Sequence, residues 1–183
     1  MGAPAQSTFA AVRTRPATPG GVLRMWRPLT DELPAPRWPD GTTLRTYGKG
    51  DGPAVKALLD EAYSAWDDAY TLRGQDEWER WMTEHDEFDP ELWFLVEREG
   101  ELVACALHWK AVEGRGWVKD LAVRESERGR GLAKALLQHG FREYAARGVD
   151  CVGLKVDSRN PTGALQLYER LGFVVDPSFS EEQ

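Results

Sequence analysis

The chain has 183 residues, 42% of them hydrophobic and 29% charged, with a formal net charge of −7. That length suits one globular domain with its own core, and the acidic balance argues against a nucleic-acid partner, which needs a basic surface. No apolar run approaches the roughly 20 residues that span a bilayer and the first residues lack the apolar core of a secretory leader, so a cytoplasmic protein with no membrane partner is expected.

Residues 1–21, rich in Ala, Pro, Thr and Gly and without a period, are expected to form a flexible tail. Residues 22–40 follow as a strand-like extension and linker: Leu23, Met25 and Trp26 make a short run before a Pro-rich stretch at Leu33 to Pro39. The folded domain is expected over residues 41–183. It opens with a strand at Thr42 to Tyr47, and Asp51 and Pro53 then start a helix. Val55, Leu58, Leu59, Ala62, Tyr63 and Trp66 recur at helical spacing, which places one face of that helix on a core. A second short helix is predicted near Gln75 to Thr83, with Trp78, Trp81 and Met82 on its apolar side. Leu92 to Glu97 and Leu102 to Lys110 read as a hairpin turning at Glu99 and Gly100. Glu113 to Arg115 turn the chain into a strand through Val118, and a helix from Gly131 to about Arg147 follows. A strand at Cys151 to Val156, a helix from Pro161 to Leu171 and a strand from Phe173 complete the order.

Between Asp60 and Glu101 lie fifteen Asp or Glu against three Arg. This is either a solvated helical surface or a negative rim that would gather a cationic acceptor. Cys105 and Cys151 match no metal-binding spacing and read as buried small residues in strands. His85, His108 and His139 are scattered, so satisfied or surface histidines, and no metal, are expected.

The stretch from Val118 to Leu137, VKDLAVRESERGRGLAKALL, is a strand, a polar turn and a helix. Gly129 and Gly131 permit a tight turn and a close approach, while the helix start aims unpaired amides at the same space. Amides and the positive helix end favour an anion, and Arg128 and Arg130 add full charges that suit a di- or polyphosphate. A plain turn is the other reading of two glycines. The dinucleotide fingerprint fails because Lys134 stands at its third glycine, and no P-loop string occurs.

The later string from Leu154 to Phe173 runs strand, asparagine, helix, tyrosine, Gly-Phe. Asn160 and Pro161 suit a helix start, and Gly172 suits a helix end. Tyr168 shares a face with Ala164, Leu167 and Leu171, so periodicity alone makes it a packing residue.

Together the two strings resemble the GNAT superfamily of N-acetyltransferases. Its phosphate motif reads Gln or Arg, two residues, Gly, one residue, Gly or Ala; here Ser126 departs at the first position, while Gly129 and Gly131 match. Its later motif is carried by Asn160 and by Ala164, Leu167, Tyr168, Gly172 and Phe173. The resemblance implies an α+β, layered α/β/α fold with a central mixed, mostly antiparallel sheet of about six or seven strands flanked by about four helices. It implies acetyl-CoA as co-substrate and no metal.

By the same resemblance, main-chain groups of Leu121, Ala122 and Val123 would pair with the pantetheine arm. Amides of Arg128, Gly129, Arg130, Gly131, Leu132 and Ala133 would hold the pyrophosphate, with Lys134 or Arg124 near the remaining phosphate. Asn160 would lie beside the pantetheine, and Tyr168 near the thioester sulfur, where it could protonate the leaving thiolate. An alkylamine with a pKa near 10 must lose a proton at a cost of about 4 kcal/mol at pH 7. Asp120 is the first candidate to take it, directly or through water, its other reading being to order the strand or bind the substrate cation; Glu84, Asp86 and Glu87 are weaker ones, and an amide near Leu121 could polarise the carbonyl.

The expected activity is acetyl transfer to a primary amine of a small molecule in a ternary complex. A protein or peptide N-acetyltransferase and a non-catalytic CoA-binding module are the alternatives. Only VVDPSFSEEQ follows Phe173, short for a closing strand. Leu23 to Arg27 looks like the closing strand of such domains, including those of mycothiol synthase-type tandem enzymes, and would dock in the same chain or in a homodimer partner.

Overall fold

Glu99 and Gly100, at φ of 53° and 80°, make the left-handed two-residue turn whose twist matches paired strands, and they join the predicted hairpin where expected. The computed structural model describes residues 21–30, 32–64 and 73–179. The tail at residues 1–20 and Trp66, expected near the end of the first helix, lie outside them.

The strands are β1 (Val22–Pro28), β2 (Thr42–Thr46), β3 (Trp93–Arg98), β4 (Glu101–Val112), β5 (Arg115–Val123), β6 (Cys151–Asp157) and β7 (Val174–Val175). The helices are α1 (Gly52–Ser64), α2 (Gln75–Thr83), α3 (Leu132–Ala146) and α4 (Ala164–Arg170). They form the expected layered α+β fold: a seven-stranded sheet in the order β2-β3-β4-β5-β6-β1-β7 with helices on both faces. Only β5 and β6 run parallel.

Two cores follow from the period-2 alternation of the central strands. Trp93, Leu95, Cys105 and Leu107 face α1 and α2, packing on Val55, Leu58, Leu59 and Met82. Phe94, Val96, Ala104 and Ala106 face the other way, onto Leu132, Leu136, Phe141 and Tyr144 of α3. Cys151, by contrast, is only partly buried.

The N-terminal run is inserted inside the sheet of its own chain rather than added at an edge. β1 pairs with β6 over seven residues, from Val22 opposite Asp157 to Pro28 opposite Cys151, and it separates β6 from β7. Met25 is fully buried there, which contributes roughly 1.5–3 kcal/mol. β7 is two residues long because Asp176 ends it. The Asp176 amide donates to the Arg24 carbonyl at 2.8 Å, and its carboxylate accepts from Arg24 Nε at 2.9 Å and Trp26 Nε1 at 3.2 Å. Burial works to raise this carboxyl, but hydrogen bonds from Ser178, Arg24 and Trp26 outweigh it and hold the pKa at about 2.

α4 starts at Ala164, three residues later than expected from Pro161. Asn160 does not cap the helix. Its Oδ1 accepts instead from Thr162 N at 2.9 Å and Thr162 Oγ1 at 2.6 Å, closing a side-chain turn before Gly163 leads into the helix.

Candidate active site

The site begins where the sheet stops pairing. β5 and β6 bond only at Arg115 opposite Cys151, Gly116 opposite Val152 and Trp117 opposite Gly153. Two residues further along β5, the pairing with β4 slips: Leu107 faces Asp120 but His108 faces Val118, so Lys119 is an extra residue in β5. Such a bulge bends its strand and increases the local twist. Beyond it lies a cavity of about 570 Å³, lined by Leu121, Ala122 and Val123 from β5 and by Lys155, Val156 and Asp157 from β6.

The turn into α3 floors the cavity. A single turn of tight helix at Glu125–Glu127 is anchored by Glu127, which is buried and bound by Arg98 Nε at 3.1 Å and Arg130 Nε at 3.7 Å. Gly129 and Gly131 then take φ of 76° and 90°, a left-handed backbone that other residues adopt only at a cost of about 1–2 kcal/mol. Gly131 precedes α3 with no side-chain cap, so the first-turn amides have no partner within the helix, and Leu132, Ala133 and Lys134 of that turn line the cavity.

Of the residues expected in the site, Leu121, Ala122, Val123, Arg128, Gly129, Gly131, Leu132, Ala133, Lys134, Asn160 and Tyr168 all line this one cavity. Arg130 does not; it is exposed and leans on Glu127. Arg124 is held away by Glu101 at 2.8 Å and Glu61 at 3.9 Å. Ser126, the departure from the phosphate motif, is exposed and its side chain lies outside the cavity lining. Glu84, Asp86 and Glu87, at and beyond the end of α2, are also outside it.

Asp120 is behind the lining rather than in it. Its Oδ1 accepts from the Tyr63 hydroxyl at 3.0 Å and its Oδ2 from Lys119 Nζ at 3.3 Å. Burial raises its pKa above the usual carboxylate range, against the pull of Lys119 and of the Tyr63 hydrogen bond. Tyr168 is buried, and burial first and the Asp120 charge second push its phenol up. Its ring meets Phe173 edge-on at 5.7 Å, so the packing role read from periodicity and the exposure to the cavity coexist.

Tyr63, Lys155 and Arg170 also line the cavity and were not singled out by the sequence. Lys155 and Arg170 join Arg128 and Lys134 there, whereas the lining acids Glu127 and Asp157 are each bound by arginines. The cavity is therefore suited to a polyanion. Several acids of the stretch sit in ion pairs: Asp60 with Lys56, Glu61 and Glu101 with Arg124, Glu97 with Arg45, and Asp89 and Glu91 with Arg147. These pairs favour the solvated-surface reading of that stretch.

His108 departs from expectation. It is fully buried between β4 and α3, against Phe94 and Tyr144, and neither ring nitrogen has a hydrogen-bond partner among the described residues. Among the described residues, no group of three His, Cys, Asp or Glu side chains is placed to hold a metal, and no helix is long and apolar enough to cross a membrane.

The sheet thus splits between β5 and β6, with the cavity and the glycine turn before α3 at the mouth of the split. Residues 55–173 match the family model described as acetyltransferase (GNAT) family, and the chain belongs to that family. It is 40% identical over 168 residues to a mycothiol acetyltransferase of Thermobispora bispora, covering 83% of this chain and 53% of that protein. A mycothiol acetyltransferase of Streptomyces coelicolor is 39% identical over 162 residues, covering 84% and 50%. The crystal structure of a GCN5-related N-acetyltransferase from Sphaerobacter thermophilus superposes with a TM-score of 0.72 at 37% identity, covering 85% of this chain and 48% of that one. The chain thus spans about half the length of these relatives.

Proposed function

We propose that the chain transfers an acetyl group from acetyl-CoA to the primary amine of a small molecule, by direct attack while both are bound. The observation that carries this reading is the cavity between β5 and β6, which joins an unpaired strand edge to a phosphate-sized cradle. The pantetheine arm lies along Leu121 to Val123 as an added strand would. The pyrophosphate sits on the amides from Gly129 to Ala133, with Arg128 and Lys134 supplying charge. Asn160 stands beside the pantetheine arm.

The neutral amine attacks the thioester carbonyl, the carbon–sulfur bond breaks, and Tyr168, kept protonated by its burial, gives its proton to the leaving thiolate and regains one from the nitrogen as the amide forms. Asp120, whose burial raises its proton affinity, is the final acceptor of the amine's proton. Relatives named for mycothiol, a small molecule, favour such an acceptor over a protein.

Thiol release from acetyl-CoA, measured across amino sugars, amino-acid esters and alkyl diamines with mass detection of the acetylated product, tests the reading. Equal amounts of free CoA and acetylated amine support it. CoA binding with no acetylated amine from any acceptor would assign the chain to the non-catalytic CoA-binding class.

A further inference from the structure

Asp120 and the cavity are separated by one side chain. Tyr63, near the end of α1, lines the cavity, and its hydroxyl donates to Asp120 Oδ1 at 3.0 Å. Asp120 does not line the cavity, and its other oxygen is bound by Lys119. Adjacent residues of a regular strand point to opposite faces, yet the bulge brings Lys119 and Asp120 to 3.3 Å and so directs the carboxylate toward α1. An amine held in the cavity therefore meets Tyr63 before it meets the carboxylate.

We infer that Tyr63 is a catalytic residue for the acetyl transfer proposed above, accepting the acceptor's proton while passing its own to Asp120. The step balances without any further reactant. The ammonium N–H bond breaks as a bond forms to Tyr63 Oη, and the original Tyr63 O–H bond breaks as one forms to Asp120 Oδ1. An ammonium and a carboxylate become an amine and a carboxylic acid. Tyr63 is neutral before and after, so its phenol never has to ionise in the buried site.

The groups that face Asp120 come from every element around it: Tyr63 from α1, Cys105 from β4, Lys119 beside it on β5 and Tyr168 from α4. Burial raises both the Cys105 thiol and the Tyr168 phenol, so both stay protonated beside the carboxylate at neutral pH. The two cavity tyrosines thus divide the work. Tyr63, bonded to the carboxylate, serves the amine, and Tyr168 serves the thiolate.

The test uses the full chain, Tyr63→Phe, and two acceptors. One is the alkylamine that the unaltered chain acetylates best, and the other is an O-alkylhydroxylamine, already neutral at pH 7. With the alkylamine at pH 7, kcat is expected to fall on the order of 10²-fold, with KM for acetyl-CoA changed less than about twofold. The deficit should shrink as pH rises toward the amine's own pKa and nearly vanish with the hydroxylamine. Asp120→Asn should show the same pattern, and if Tyr63→Phe does not fold a proton inventory of kcat on the unaltered chain decides the matter, two protons in flight supporting the relay and one overturning it.

An unchanged kcat, or an equal loss with both acceptors at every pH, overturns the relay while leaving acetyl transfer intact. No acetylation of any acceptor by the unaltered chain overturns the transfer reading and the relay with it.

Discussion

Trp26 of β1 and Trp117 of β5 meet edge to face across the intervening strand, their ring centroids 5.6 Å apart at 68°. The residue between them is Gly153, paired with both and the last of β6 to bond with β5. A Cβ there would stand 2.5 Å from the Trp26 ring and 2.8 Å from that of Trp117. Gly153→Ala is expected to cost about 1–3 kcal/mol in urea unfolding, because two rigid rings must part. It should also weaken acetyl-CoA binding, since the cavity opens at that point. An unchanged midpoint would contradict the packing.

Deleting residues 1–29 removes β1, and with it a buried methionine, seven paired residues and the Arg24 and Trp26 donors to Asp176. The loss should exceed the roughly 2–5 kcal/mol of a single buried Met→Ala change. Thermal unfolding of the shortened chain checks this, with equal stability counting against it.

Gly131→Ala separates conformation from space. An added Cβ would meet nothing within 4 Å, but φ of 90° is unfavourable for alanine. Calorimetry should show a stability loss of about 1–2 kcal/mol and a weaker affinity for CoA, as the turn relaxes and its amides lose their aim. Full affinity in this variant would remove the left-handed turn from the site.

Tyr168→Phe keeps the contact with Phe173 and removes the proposed proton donor. Turnover should fall on the order of 10²-fold with acetyl-CoA affinity nearly unchanged. Unaltered kcat would deny the tyrosine its role as acid.

Burial lowers the His108 pKa from 6.5 to about 4. Above pH 6.5 the ring is neutral in both folded and unfolded chains, and the full stability is present. As pH falls from 6.5 to 4 the unfolded chain takes up a proton that the folded one resists, so stability declines, by on the order of 3 kcal/mol. His108→Leu should flatten the unfolding midpoint across that window. The same acid decline in the variant would point to other groups.

Local features of the fold and site were legible in the sequence, and non-local ones were not. The strand, glycine turn and helix at Val118 to Leu137 form from neighbours in sequence, so the turn that lines the cavity was readable from their spacing. The family string beginning at Asn160 located Tyr168, although the Asn160 side chain took a turn amide and delayed the helix to Ala164. Tyr63 was visible only as an apolar position on a helix face, because its partner Asp120 is 57 residues away. Its exposure to the cavity depends on how α1 packs on β5, which periodicity does not encode. The insertion of β1 between β6 and β7 is a pairing across more than a hundred residues, and the bulge at Lys119 has no composition signature.

The most direct measurement is mass spectrometry of the intact chain and of the small molecules after mixing with acetyl-CoA, before and after an accepted amine is added. Direct transfer between two bound substrates predicts a protein of unchanged mass throughout, with free CoA and acetylated amine appearing together only once the amine is present. A chain that gains an acetyl group before the amine arrives, or that releases CoA without acetylated amine, would contradict the account.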